Sequence, residues 1–198
     1  MVEEGGDKLV IDPGTFSTSF NNYEDVTAVV VTHVHGDHFD PEKLNKIIAS
    51  NPNVKIYTTG DVAKEFGEDK VKVVTGGDKA KASSFNLSFY GGNHELYEGF
   101  QNVGVLVNGK LLHPGDSYTI PDDGSEVTVL AAPASAPWLR VTEASKYIKD
   151  CHAKQVFPIH NSLLSEIGES IHYRILSEAA AEVGSEWTVL KPGESMVI

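Results

Sequence analysis

The sequence predicts an α/β fold of mixed type, with two mixed sheets carrying helices on their outer faces, and three observations lead to it. Helical and extended patterns alternate up to residue 75 and again from residue 142 onward. Between these stretches lie short extended runs separated by hairpin signals such as Asn108 and Gly109. Isolated histidines and aspartates also stand just after several predicted strands, and two facing sheets would gather them along one edge.

The elements follow in order. Residues 8–12 read as a strand, and the preceding Glu-Glu-Gly-Gly-Asp-Lys has the composition of a hairpin turn. Only Met1 and Val2 come before that turn, so the favoured expectation is that the partner, the first N-terminal strand, is missing; the alternative is a frayed terminus. Asp12, Pro13 and Gly14 end the strand in a tight turn, and residues 15–22 form a polar loop. The β-branched run Val26, Thr27, Val29, Val30, Val31, Thr32 predicts a buried central strand. Pro41 opens a helix with Asp40 as N-cap and Leu44, Ile47 and Ile48 on one face, and Asn51, Pro52 and Asn53 stop it. A strand at 55–58, a helix at 61–66 capped by Asp61 and a strand at 70–75 follow. Strands at 78–82, 85–90, 103–107, 110–113 and 126–130 read as an antiparallel meander, and residues 131–140 as a proline-rich loop. The last third predicts a helix at 142–151, a strand at 155–159, an outer helix at 169–183 bearing His172, and strands at 187–190 and 196–198 around Pro192 and Gly193.

The 198 residues suit one well-buried core, so residues 1–198 are expected to form a single domain. A net charge of -12 without a basic cluster disfavours nucleic acid and anionic membranes as partners. No apolar run approaches the roughly 20 residues that span a bilayer, and Met1 to Lys8 lacks the parts of a signal peptide, so a cytoplasmic location is expected. Cys151 stands alone and reads as a small buried hydrophobe. Self-association stays open.

The stretch Val-Val-Val-Thr-His-Val-His-Gly-Asp-His-Phe-Asp at 29–40 concentrates the chemistry. His33, His35, Asp37 and His38 are four candidate ligands within six residues, at the end of the central strand. Imidazole and carboxylate suit zinc, with iron or manganese as alternatives; His33 and His35 can point one way and Asp37 and His38 towards a second ion. His94 follows the 85–90 strand through Gly91 and Gly92, Asp116 follows His113 in His-Pro-Gly-Asp-Ser, and His160 follows the 155–159 strand. Each also has a structural reading, as a capping aspartate or a hydrogen-bonded histidine.

With these residues in order, the chain resembles the metallo-β-lactamase fold superfamily over nearly its whole length. The resemblance implies a four-layer αβ/βα sandwich with two divalent metal ions at the strand-end edge. By motif, His33, His35 and His94 would hold one, Asp37, His38 and His160 the other, and Asp116 would bridge them. Its members usually begin with a strand before the turn at 3–8. Phe39, Asp40 and Pro41 stand where glyoxalase-like members, lactamases and the large tRNA-processing nucleases place glycine, which looks more like small hydrolases similar to ascorbate-phosphate lactonase. His35 replaces the Glu of the di-iron flavoproteins, which argues against oxygen reduction.

The function implied is hydrolysis of a small ester, lactone or phosphodiester. A water shared by two ions about 3.5–4 Å apart would be acidified towards pKa ~7, with Asp37 and Asp116 orienting it. Trp138 and Arg140 in the proline-rich loop are expected as an apolar wall and an anion anchor, or else as parts of a rigid surface loop. Asp12 would support the metal loop or simply stabilise its own turn, and His113 would back Asp116 or simply end a strand. Two alternatives remain open: a non-catalytic module held together by metals, and a nucleic-acid phosphodiesterase.

Overall fold

A computed structural model describes residues 1–96 and 98–198. The first sheet contains β1 (Val2–Glu4), β2 (Asp7–Ile11), β3 (Val26–Val31), β4 (Lys55–Thr58) and β5 (Lys72–Val73), in that spatial order. The strand expected to be missing is therefore present as a short β1. It folds back through Gly5 and Gly6, both at positive φ, and pairs antiparallel with β2, Val2 facing Leu9 and Glu4 facing Asp7. Three residues suffice because β2 draws its main support from β3, with which it runs parallel.

The second sheet contains β6 (Lys79–Ala82), β7 (Phe85–Tyr90), β8 (Gly104–Val107), β9 (Leu111–His113), β10 (Val129–Pro133), β11 (Gln155–Ile159) and β12 (Glu186–Trp187). Their spatial order is β12-β11-β10-β9-β8-β7-β6. The meander is real from β6 to β9, but β10 lies parallel to β9 and to β11 rather than antiparallel. Residues 114–128 carry the chain back along the sheet before β10 starts, as a parallel neighbour requires. β10 also begins three residues later than expected, which moves Ala131, Ala132 and Pro133 out of the loop and into the core.

Four helices complete the layers: α1 (Pro41–Ser50), α2 (Gly60–Phe66), α3 (Val141–Cys151) and α4 (Glu166–Glu182). In α1 the Asp40 carboxylate accepts from Glu42 N and Lys43 N, and Asn51 is the C-cap, both as the sequence predicts. In α2 Thr59, not Asp61, occupies the N-cap, and it makes no side-chain capping bond. The strand at 70–75 shrinks to β5 and that at 187–190 to β12, while 196–198 is no strand.

Alternation along β3 explains the stacking. Ala28 and Val30 face the space between the sheets, with Leu9, Phe85, Phe89 and Val105, whereas Val29 and Val31 face α1 and α2 through Leu44, Ile47 and Val62. Burial on both faces is why this strand is almost all β-branched. The outer face of the second sheet meets α3 and α4 through Leu112, Leu130, Ile148 and Leu176. The result is helix, sheet, sheet, helix. No described helix is long and apolar enough to cross a membrane.

Strand direction places the site. Because β8 is antiparallel to β7 and to β9, strands β7, β9, β10 and β11 run the same way and end on one edge. His94, Asp116, the 134–138 loop and His160 all follow those ends.

Candidate metal centre

β3 is followed directly by buried Thr32 and His33. Asp12, in a left-handed conformation at the end of β2, reaches across to this junction. Its Oδ1 accepts Thr32 N at 2.7 Å and its Oδ2 accepts Thr32 Oγ1 at 2.8 Å. With its hydroxyl proton given to Asp12, Thr32 Oγ1 is left to accept from His33 Nδ1 at 3.0 Å, which frees His33 Nε2 as a lone-pair donor. The same Asp12 Oδ2 lies 2.7 Å from His38 Nδ1, freeing His38 Nε2 in the same sense. One carboxylate thus reaches a histidine in each half of the cluster, His38 directly and His33 through Thr32.

The ligand atoms converge. One each from His33, His35, His94 and Asp116 lie within 4.8 Å of one another, and so do those of Asp37, His38 and His160. Asp116 stands between the groups. Its Oδ2 is 3.4 Å from His94 Nε2 and 3.9 Å from His33 Nε2, while Oδ1 is 3.1 Å from His38 Nε2 and 3.4 Å from His160 Nε2. His160, itself at positive φ, turns Nδ1 to the Ser135 carbonyl and holds Nε2 3.1 Å from Asp37 Oδ2. His38 Nε2, His94 Nε2 and Asp116 Oδ1 are buried without a hydrogen-bond partner. Each such atom costs about 1–3 kcal/mol unless something satisfies it. Three of them within one cluster of imidazoles and carboxylates match the donor chemistry of a candidate divalent-cation site. His94 differs in one respect: its Nδ1 accepts Leu96 N at 2.9 Å, so the neutral ring carries its proton on Nε2, and an ion there requires the 95–96 backbone to give up that contact.

Electrostatics agree with a site built for positive charge. Burial alone would raise the Asp116 pKa, yet His38 and His94 beside it hold it well below the carboxylate range. The hydrogen bond from His160 holds Asp37 down at about 2. Burial opposes a charge on His38, but Asp12 and Asp116 outweigh it and raise its pKa to about 10. His33, desolvated and beside His38, is lowered to about 3. Without ions, His38 therefore bears a proton, and so does His160: burial opposes its charge, but the hydrogen bond to Asp37 and the charge of Asp116 raise its pKa.

A raised pKa stabilises the fold fully below the unfolded value of about 6.5, and that contribution disappears as pH rises through the folded value. The melting temperature of ion-free protein should accordingly fall between pH 6.5 and about 10. With an ion in place of the His38 proton this decline should flatten. Parallel melting curves for loaded and ion-free protein across that window would rule out His38 as the group displaced.

Two expectations about neighbouring residues change. Trp138 is not only an apolar wall: its Nε1 donates to Asp116 Oδ2 at 2.8 Å, and its ring meets those of His94 and Tyr118 edge-on. Arg140 faces solvent, 3.7 Å from Glu143 Oε1, with its side chain 81% exposed, and so stands away from the cluster where an anion anchor was expected. It is the extended N-cap residue of α3 and pairs with Glu143 in the first turn of that helix. His113 Nδ1 lies 3.3 Å from Gly115 N, and burial lowers its pKa to about 4, so it backs the Asp116 turn as a neutral ring.

Sequence reasoning passed over three contributors. Gly14 is one: a Cβ there would lie 1.8 Å from Asp37 O and 2.4 Å from His38 N, so only glycine lets the ligand loop cross this turn. Asn102, fully buried, accepts Asp116 N through Oδ1 and donates to Pro114 O. The third is the Ser135 carbonyl that orients His160. Contacts of this kind have no local pattern in a sequence.

Known proteins share this architecture. The model of the Beta-lactamase superfamily domain matches residues 1–160. Protein Rv0786c of Mycobacterium tuberculosis is 32% identical over all of this chain and 94% of its own length. A UPF0173 metal-dependent hydrolase of Pyrococcus furiosus is 25% identical, covering 98% of this chain and 93% of its own. Among solved structures, Igni18, a metallo hydrolase of Ignicoccus hospitalis, superposes with a TM-score of 0.72 at 18% identity, covering 97% of this chain and 91% of that one. The two-sheet core, the strand-end histidines and the family match over residues 1–160 together show that this chain belongs to the β-lactamase superfamily and has the metallo-β-lactamase fold.

Proposed function

We propose that the protein is a metal-dependent hydrolase that binds two divalent ions, zinc by preference, and cleaves a small ester, lactone or phosphodiester. The carrying observation is the position of Asp116, with one oxygen turned towards each group of ligands. Three protein ligands on either side and a shared carboxylate suit a pair of ions better than one. The Pyrococcus furiosus relative named a metal-dependent hydrolase supports the same class.

Two divalent ions held there would supply Lewis acidity and an acidified water at neutral pH. The chain's residues do the rest. Asp37, ionised and half-buried with Oδ2 against His160, can orient an attacking water by accepting a hydrogen bond from it. Asp12 keeps the His33 and His38 lone pairs directed inward, and the Trp138 and Phe100 rings near His94 and His35 restrict bulk water on one side. No serine or cysteine nucleophile is needed, and Cys151 is unsuited to the task, because burial raises its pKa to about 11.

The test is metal analysis of the purified protein, followed by a screen of lactone, thioester, phosphodiester and β-lactam substrates with and without chelator. Turnover that chelator removes and zinc restores is expected. Fully loaded protein without turnover of any of them would instead favour a metal-stabilised module.

A further inference from the structure

Trp138 Nε1 to Asp116 Oδ2, at 2.8 Å, is shorter than the contacts of the Asp116 carboxylate with His38 at 3.1 Å and with His94 and His160 at 3.4 Å. The Asp116 main chain is held separately, by Asn102 Oδ1 at its N–H and Glu95 N at its carbonyl. The histidines around the carboxylate are themselves candidate ligands, whereas the indole is not, so its hydrogen bond can hold the Asp116 rotation while ions occupy the histidines. An indole N–H donates only; it neither ligates an ion nor takes a proton. Its loop does a second related thing, since Ser135, three residues before Trp138, accepts from His160 through its carbonyl.

We propose that Trp138 is a positioning residue, whose indole N–H fixes the rotation of Asp116 so that Oδ2 faces His33 and His94 while Oδ1 faces His38 and His160. The inference rests on the two-ion reading. Without the bond, the carboxylate can turn and offer both oxygens to one group, leaving the other with three ligands. The last ion bound should then be the one that suffers. Partners of this type typically account for about 10- to 100-fold in metal affinity.

The experiment is chelator competition with Zn2+ and the visible spectrum of Co2+ on the full chain, for wild type, Trp138→Phe and a chain carrying 3-benzothienylalanine at 138. In that isostere sulfur replaces the N–H. Both changes should lower affinity for the last ion by about 10- to 100-fold and alter its Co2+ bands, with the melting temperature of the singly loaded protein little changed. Trp187→Phe, whose ring packs on Tyr173, should do neither. Retained affinity in the isostere with loss in Trp138→Phe would overturn the proposal in favour of ring packing, and retained affinity in both would overturn it outright. If wild type binds a single ion, the two-ion reading fails instead; the Trp138 inference is then judged on that ion, where the same loss is expected.

Discussion

Replacing Asp116 by alanine should lower hydrolysis at least about 10²-fold, in line with the loss of one charge-stabilising or metal-activating group in other active sites. The turn itself should survive, since Asn102 and Glu95 hold the Asp116 main chain without help from its side chain. His33, His35 and His94 remain together, so at least one ion should still bind. The measurements are turnover on the best substrate from the screen and metal content per chain. Full turnover with two ions bound would remove Asp116 from the chemistry. Lys46→Ala, exposed on α1, is a suitable control. His172 is not, although it lies on the outer helix, because its Nδ1 meets Ala134 O at 2.7 Å beside the loop that carries Ser135 and Trp138.

Asp12→Asn should reduce affinity at both groups rather than one, by about 10- to 100-fold each. Asparagine tolerates the left-handed φ of 52° that alanine would strain, so backbone effects are kept out of the comparison. What changes is the carboxylate that Thr32 and His38 both address. The ion-free protein should suffer too, because a charged, buried His38 loses its nearest partner; removing one member of a buried pair costs up to about 3–5 kcal/mol. Calorimetry at pH 6 on ion-free protein and chelator competition on loaded protein read the two effects separately. Normal affinity at the His38 side with a loss at the His33 side alone would show that the direct contact matters less than the one through Thr32.

Local rules settled much of this protein. A β-branched run buried on both faces specifies β3, and four ligand residues packed behind it can hardly scatter, since the chain between them is only six residues long. Asp40 before Pro41 fixes the start of α1 by satisfying two free amides. His94, Asp116 and His160 were legible as polar residues behind strands, but their meeting depends on β7, β9 and β11 running in one direction, and that is a property of pairing. β10 shows the limit. Ala131, Ala132 and Pro133 carry no strand signal, and they are extended because β11 lines up beside them and α3 packs against the same strand. The short β1 likewise exists because two glycines at positive φ turn three residues back onto β2. Gly14 beneath the Asp37 to His38 peptide and Trp138 against Asp116 join residues separated by long stretches of chain. Sequence spacing determined which side chains could bind metal, whereas only the tertiary structure decided how each is turned, because orientation comes from partners that lie next to one another only after the sheets have stacked.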